Sequence, residues 1–211
     1  VLSATPTLYD KNSLQEWDWE DVNLLKESQG VRPHLKTDSI QYNVIQTLVR
    51  QDYDIVYDDD NAGEIADVIT LKLIENEIHV ELYHLKFAHE GKITSQIANF
   101  YEVCGQAQKS ANWKYKEAEE MLNHLLRREI KKSSNGDECS RIYKGTHEKL
   151  IELMKLAKRK LPVKYSVFIV QPGVSKDSAS DEILSLLGVT ESFLKERTGI
   201  ELKVIVNKKS L

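Results

Sequence analysis

Two runs of strand character lie back to back in this chain, and they constrain its fold more than any other feature. Glu64 to Ile74 is rich in Ile, Val and Leu, Glu75-Asn76 reads as a tight turn, and Glu77 to Phe87 forms the second run. That pattern predicts a β-hairpin. The second run is apolar on parts of both faces, which predicts a central place in a sheet. Each run carries one residue that does not suit it. Asp67 sits in an apolar stretch with Val68, Ile69 and Leu71, and Lys86 is bracketed by Leu85 and Phe87. A lone carboxylate in such surroundings is costly unless it is paired or bound to a metal, and a lysine there needs a partner. Strand alternation puts Val80, Leu82, His84 and Lys86 on one face and Glu81, Tyr83 and Leu85 on the other.

The elements around the hairpin follow from spacing and end signals. Asp38 or Ser39 is a good N-cap for a helix with Ile40, Val44, Ile45 and Leu48 on one stripe, ending near Gln51. Tyr53 to Tyr57 reads as a short strand, and Asp58 to Gly63 as a solvated turn. Helical spacing returns at Ile93, Ile97, Phe100 and Cys104 and runs on to about Ile130, with a flexible loop over Lys131 to Asp137. Thr146 to Lys160 is a helix closed by Pro162, Tyr165 to Val170 a buried strand, Ser180 to Thr198 a helix closed by Gly199, and Ile200 to Val206 the last strand. The order predicts an α/β protein with a mixed sheet. Residues 1–37 lack a clear period and read as a loosely structured arm or linker ahead of a domain over 38–211.

Composition removes several function classes. The chain has 211 residues, 41% of them hydrophobic, with 9 Gly and 4 Pro, so it can bury a real core. No apolar run approaches the ~20 residues of a membrane span. Val1 to Pro6 does not read as a secretory leader, and a cytoplasmic location is expected. The chain does not begin with Met, and a fragment of a longer polypeptide is expected. Net charge is −4, which argues against a protein that coats nucleic acid without specificity. Acids gather between Asp52 and Glu64, and bases between Lys155 and Lys164. The two cysteines, Cys104 and Cys139, form no CxxC pair, so a Cys-based zinc site is not expected; they are either reduced or joined to each other. No GxxxxGK[ST] occurs, and the spacing of His79, Glu81 and His84 is wrong for HExxH on a helix.

Phosphodiester hydrolysis needs an activated water, a cation at the scissile phosphate and charge relief in the transition state. Magnesium is held through one or two carboxylates. A hairpin that presents an acid on one strand and a lysine on the next supplies the protein's part. Asp67 and Lys86 meet that description, and Leu82-Tyr83-His84-Leu85-Lys86 leads into a helix containing Tyr101 to Ser110.

In these residues the chain resembles the PD-(D/E)XK nuclease superfamily, over about residues 38–112. The wording of the lysine strand and following helix is similar to the nuclease-like domain fused to DEAD/DEAH-type helicases in bacterial defence proteins. The resemblance implies a restriction-endonuclease-like mixed β-sheet flanked by helices, Mg²⁺ or Mn²⁺ as cofactor, DNA as substrate with RNA as an alternative, and a fused or associated helicase motor as partner. It implies that Asp67 binds metal, that Lys86 positions water or stabilises charge, and that Gln106 supports the site, with Lys109 and Tyr101 as further nucleic-acid contacts. The chain departs from the family in one place: His84 stands where an acid is usual, two before the lysine. Imidazole can ligate Mn²⁺, and Glu64 can supply the missing carboxylate, so both join Asp67 in the expected ligand set. Bland readings compete at each position. Asp67 can be a strand-edge ion pair, Lys86 a strand-end lysine with its head in water, His84 a hydrogen-bonded core residue, Glu64 a turn acid and Lys155 to Lys164 a solvated face. A catalytically inactive module for DNA binding or protein docking is the alternative to the nuclease.

Overall fold

A computed structural model describes residues 7–134 and 140–209. It is an α/β protein with a seven-stranded mixed sheet and helices on both faces, an architecture consistent with the restriction-endonuclease-like expectation. The strands are β1 (Gln15–Trp17), β2 (Ile55–Asp58), β3 (Val68–Ile74), β4 (Glu77–Leu85), β5 (Ile142–Lys144), β6 (Val163–Ser175) and β7 (Glu201–Asn207). Their order is β1-β7-β6-β4-β3-β2-β5. From β4 outward through β6, β7 and β1 the pairing is parallel, and from β4 through β3, β2 and β5 it is antiparallel. The helices are α1 (Ile40–Val49), α2 (Ala98–Lys109), α3 (Ala111–Lys114), α4 (Ala118–Ser134), α5 (His147–Lys158) and α6 (Asp181–Thr198).

The expected hairpin is present. Ile74 pairs with Glu77 across the two turn residues, and the register runs back to Val68 opposite Tyr83. β4 is central, between β3 and β6. Its alternation is as the sequence dictates. Ile78, Val80 and Leu82 join the large core with α2, α4, α5 and α6. Tyr83 and Leu85 join a second core with Ile40, Val44, Ile45 and Leu48 of α1. Caps explain the helix ends. The hydroxyls of Ser39, Thr146 and Ser180 accept backbone N–H bonds at the starts of α1, α5 and α6, and Gly199 closes α6 with φ 68°.

Four readings need correction. The arm over residues 1–37 is not loose where it is described. β1 extends the sheet by pairing with β7, and Tyr9, Leu14 and Trp19 are buried. A three-residue strand and single aromatic anchors leave no periodic trace. Strand β5 adds to the outer edge beside β2 and was not foreseen. Helix α4 continues through Ser134, past the expected start of the loop; residues 135–137 of that loop, and Cys139, lie outside the described residues. The run Asp58 to Gly63 is not a solvated turn at its start. Asp58 and Asp59 are buried, because glutamines and arginines distant in sequence partner them.

Candidate active site

Asp67 stands just before β3, where the ladder ends. Its N–H donates to Tyr83 O at 3.0 Å, and its carboxylate accepts the Leu85 N–H at 2.8 Å. The regular β3–β4 register ends one residue later, at Val68 opposite Tyr83. The carboxylate is buried, and that burial, with Glu64, Glu27 and Asp60 nearby, raises its pKa well above the usual carboxylate range against the opposing pull of the Leu85 N–H. Oxygens of Asp60, Glu64 and Asp67 all lie within 4.8 Å of one another. Three hard oxygen donors at that spacing suit a divalent cation such as Mg²⁺, which would also offset the burial and, secondarily, the neighbouring negative charge that raise Glu64 and Asp67.

The turn that carries Asp60 and Glu64 is held from outside. Gly63 has φ 87°, a left-handed conformation that favours glycine, and a Cβ there would meet Arg128 at 3.1 Å. Arg128, from α4, donates to the carbonyls of Asp59 at 2.7 Å and Ala62 at 2.8 Å, and its Nε lies 2.6 Å from the Asp59 carboxylate. Arg141 donates to the carbonyls of Asp58 at 2.9 Å and Asp60 at 3.0 Å. The Ile65 N–H donates to Asp59 at 2.6 Å. Burial, outweighing Arg128, pushes Asp59 up to about 7. The side-chain amides of Gln29 and Gln41 each donate to Asp58 at 3.0 Å. Ser28 donates to Asp60.

Lys86 follows β4, and its N–H bonds Val170 O at 3.1 Å. Its ammonium lies 2.9 Å from Glu102 on α2 and 3.4 Å from Glu27. Burial alone would lower its pKa, but Glu102 and Glu27 outweigh it and hold the amine above its ordinary value. Glu27 links the parts of the site. It also accepts the Phe87 N–H at 2.9 Å and adds to the negative field at Asp67. Its backbone is fixed by the Gln41 N–H, which donates to Glu27 O at 3.0 Å. Sequence reasoning missed Glu27 and Asp60. Glu27 lies in a polar run without period; its one advance signal is the absent acid two before Lys86, which requires a carboxylate from elsewhere.

His84 is not in the group of three carboxylates. It is buried, its Nε2 is 2.7 Å from the Ser110 hydroxyl, and burial brings its pKa down to about 4. It lines a cavity of about 340 Å³ together with Glu64, Ile65, Gln106, Lys109, Asn112, Trp113 and Lys116. Gln106 and Lys109 thus share a cavity with Glu64, whereas Tyr101 lines a separate groove with Leu8, Ile97 and Val189. Of the late basic run, Lys158 and Lys160 pair with Glu119 and Glu117. Cys104 is buried, and burial raises its thiol to about 11, which fits no nucleophilic role.

Among the described residues no helix is long and apolar enough to cross a membrane. Comparison of the chain with protein-family models, curated proteins and solved structures returns no match.

Proposed function

We propose that the chain is a metal-dependent endonuclease that hydrolyses phosphodiester bonds in DNA, as the nuclease part of a larger protein that contains or recruits a helicase motor. The observation that carries this reading is the meeting of Asp60, Glu64 and Asp67 within 4.8 Å, at the end of the strand pair that leads into Lys86. A Mg²⁺ or Mn²⁺ ion bound there would polarise the scissile phosphate and acidify a bound water. Asp67, fixed by the Leu85 N–H, and Glu64, fixed by the arginine-held turn, are the principal ligands, with Asp60 beside them. Lys86, held by Glu27 and Glu102, supplies positive charge for the phosphate oxygens as charge builds. Gln106 lines the adjoining cavity and supports the strand being cut.

A second reading has its own support. His84 occupies the place of an acid and is bonded to Ser110, and Lys86 is already paired with two carboxylates. That pattern favours a catalytically inactive module that binds DNA or docks a partner. A nicking assay on supercoiled plasmid with Mg²⁺ or Mn²⁺ separates the two. The parent should nick, Asp67→Asn should not, and Lys86→Ala should lose about 10²–10³ in rate without a change in the half-saturating metal concentration. Equal cleavage by all three rejects the assignment, and no cleavage by the parent supports the inactive module.

A further inference from the structure

We infer that the cavity beside the carboxylates receives one unpaired nucleobase of a nucleic-acid strand, so that the favoured substrate has unpaired nucleotides at the cut and is not an intact duplex. The inference deepens the nuclease reading and rests on it for the position of the scissile phosphate.

Size and position come first. The cavity holds about 340 Å³, within the range of small-ligand pockets. Glu64 belongs both to its wall and to the carboxylate group. A phosphate at the carboxylates therefore has its neighbouring nucleotide at the cavity mouth. Bases within a duplex are stacked and paired, and one enters such a pocket only when it is free to leave the stack.

The lining matches a nucleotide in chemistry. Trp113 contributes an indole, and the Lys116 ammonium lies 4.4 Å above that ring. Lys109 adds a second cation. Two ammonium groups suit the phosphates on either side of an inserted base, and an aromatic wall suits its face. The amides of Gln106 and Asn112 offer donors and acceptors for a base edge. Among the described residues Gln106 Oε1 is buried and has no hydrogen-bond partner, an unmet demand that folded proteins rarely carry. An amino or imino group of a base meets it after a small turn of the amide.

The test uses the whole chain and labelled oligonucleotides of one sequence. Binding is read by fluorescence anisotropy in EDTA, with a single strand, its duplex, and single strands with one abasic site stepped along the sequence. Cleavage is read separately in Mg²⁺. The single strand should bind at least tenfold tighter than the duplex, and loss of one particular base should weaken binding about tenfold. Gln106→Leu and Lys116→Ala should remove that dependence while melting like the parent, and Trp113→Phe should keep part of it. Equal affinity for strand and duplex, or indifference to every abasic position, overturns the proposal. Cleavage of duplex and single strand alike rejects the base pocket and leaves the nuclease standing. Base-dependent binding without any cleavage upholds the pocket and rejects the nuclease.

Discussion

The carboxylate of Asp67 accepts the backbone N–H of Leu85 at 2.8 Å. The acid of one hairpin strand is thereby fastened to the residue that precedes Lys86 on the other. A side chain has replaced a ladder bond at the end of the strand pair, and the carboxylates of Glu64 and Asp60 gather beside it.

Metal should stabilise this edge. Asp67 and Glu64 have folded pKa values above their unfolded ones, so the folded state binds more protons, and their contribution to stability falls as pH rises. At neutral pH the group is therefore a source of strain that a cation relieves. Mg²⁺ at a hundred times its Kd should add about 2.7 kcal/mol and raise the melting temperature by several degrees. Asp67→Asn keeps an oxygen for the Leu85 N–H, so it should melt no lower than the parent in EDTA and show no rise with Mg²⁺. Differential scanning fluorimetry checks both, and an equal rise in parent and variant would remove Asp67 from the ligand set.

The pair Arg128–Asp59 should show strong coupling. Asp59 is fully buried, and Arg128 is only 13% exposed. Removing one partner of a buried pair costs about 3–5 kcal/mol, because the other charge is stranded. Arg128→Leu should lose that much in urea unfolding, and Arg128→Leu with Asp59→Asn should recover a large part of it. Additive losses in a double-mutant cycle would show that the two side chains act independently.

His84 should make stability sensitive to acid. Its folded pKa, about 4, lies below its ordinary 6.5. Between those values the unfolded chain takes a proton that the folded chain does not, so stability from this residue is complete above pH 6.5 and is lost as pH falls toward 4. The loss amounts to about 3 kcal/mol. In urea titrations across that interval, the gap between the parent and His84→Gln should narrow as pH falls. A constant gap would mean that His84 is not buried as the neutral imidazole.

The hairpin was the most legible part of the chain, because period-two alternation and a two-residue turn are local signals. The same is true of the caps at Ser39, Ser180 and Gly199. Asp67 and Lys86 stood out because each is a charge in an apolar run. What stayed hidden depends on contacts distant in sequence. Asp59 resembles a solvated turn acid until Arg128, 69 positions later, is brought beside it. Glu27 has no local mark, and its place is set by Gln41 and Phe87. The alternation of β4 assigned His84 and Lys86 to one face but could not reveal that Ser110 and Glu102 would take them as partners.

The way the first forty residues are built in bears on where the chain can be cut. Composition suggests that a domain starts at Asp38, yet β1 closes the parallel edge of the sheet, the Trp19 indole donates to Val206 O at 3.2 Å, and Glu27 pairs with Lys86 and adds to the negative field at Asp67. A truncation beginning at Asp38 would bare the edge of β7, a surface prone to pairing with other chains, and would take from Lys86 its Glu27 counter-ion. Such a fragment should aggregate, and it would misreport the chemistry of a site that depends on its N-terminal segment.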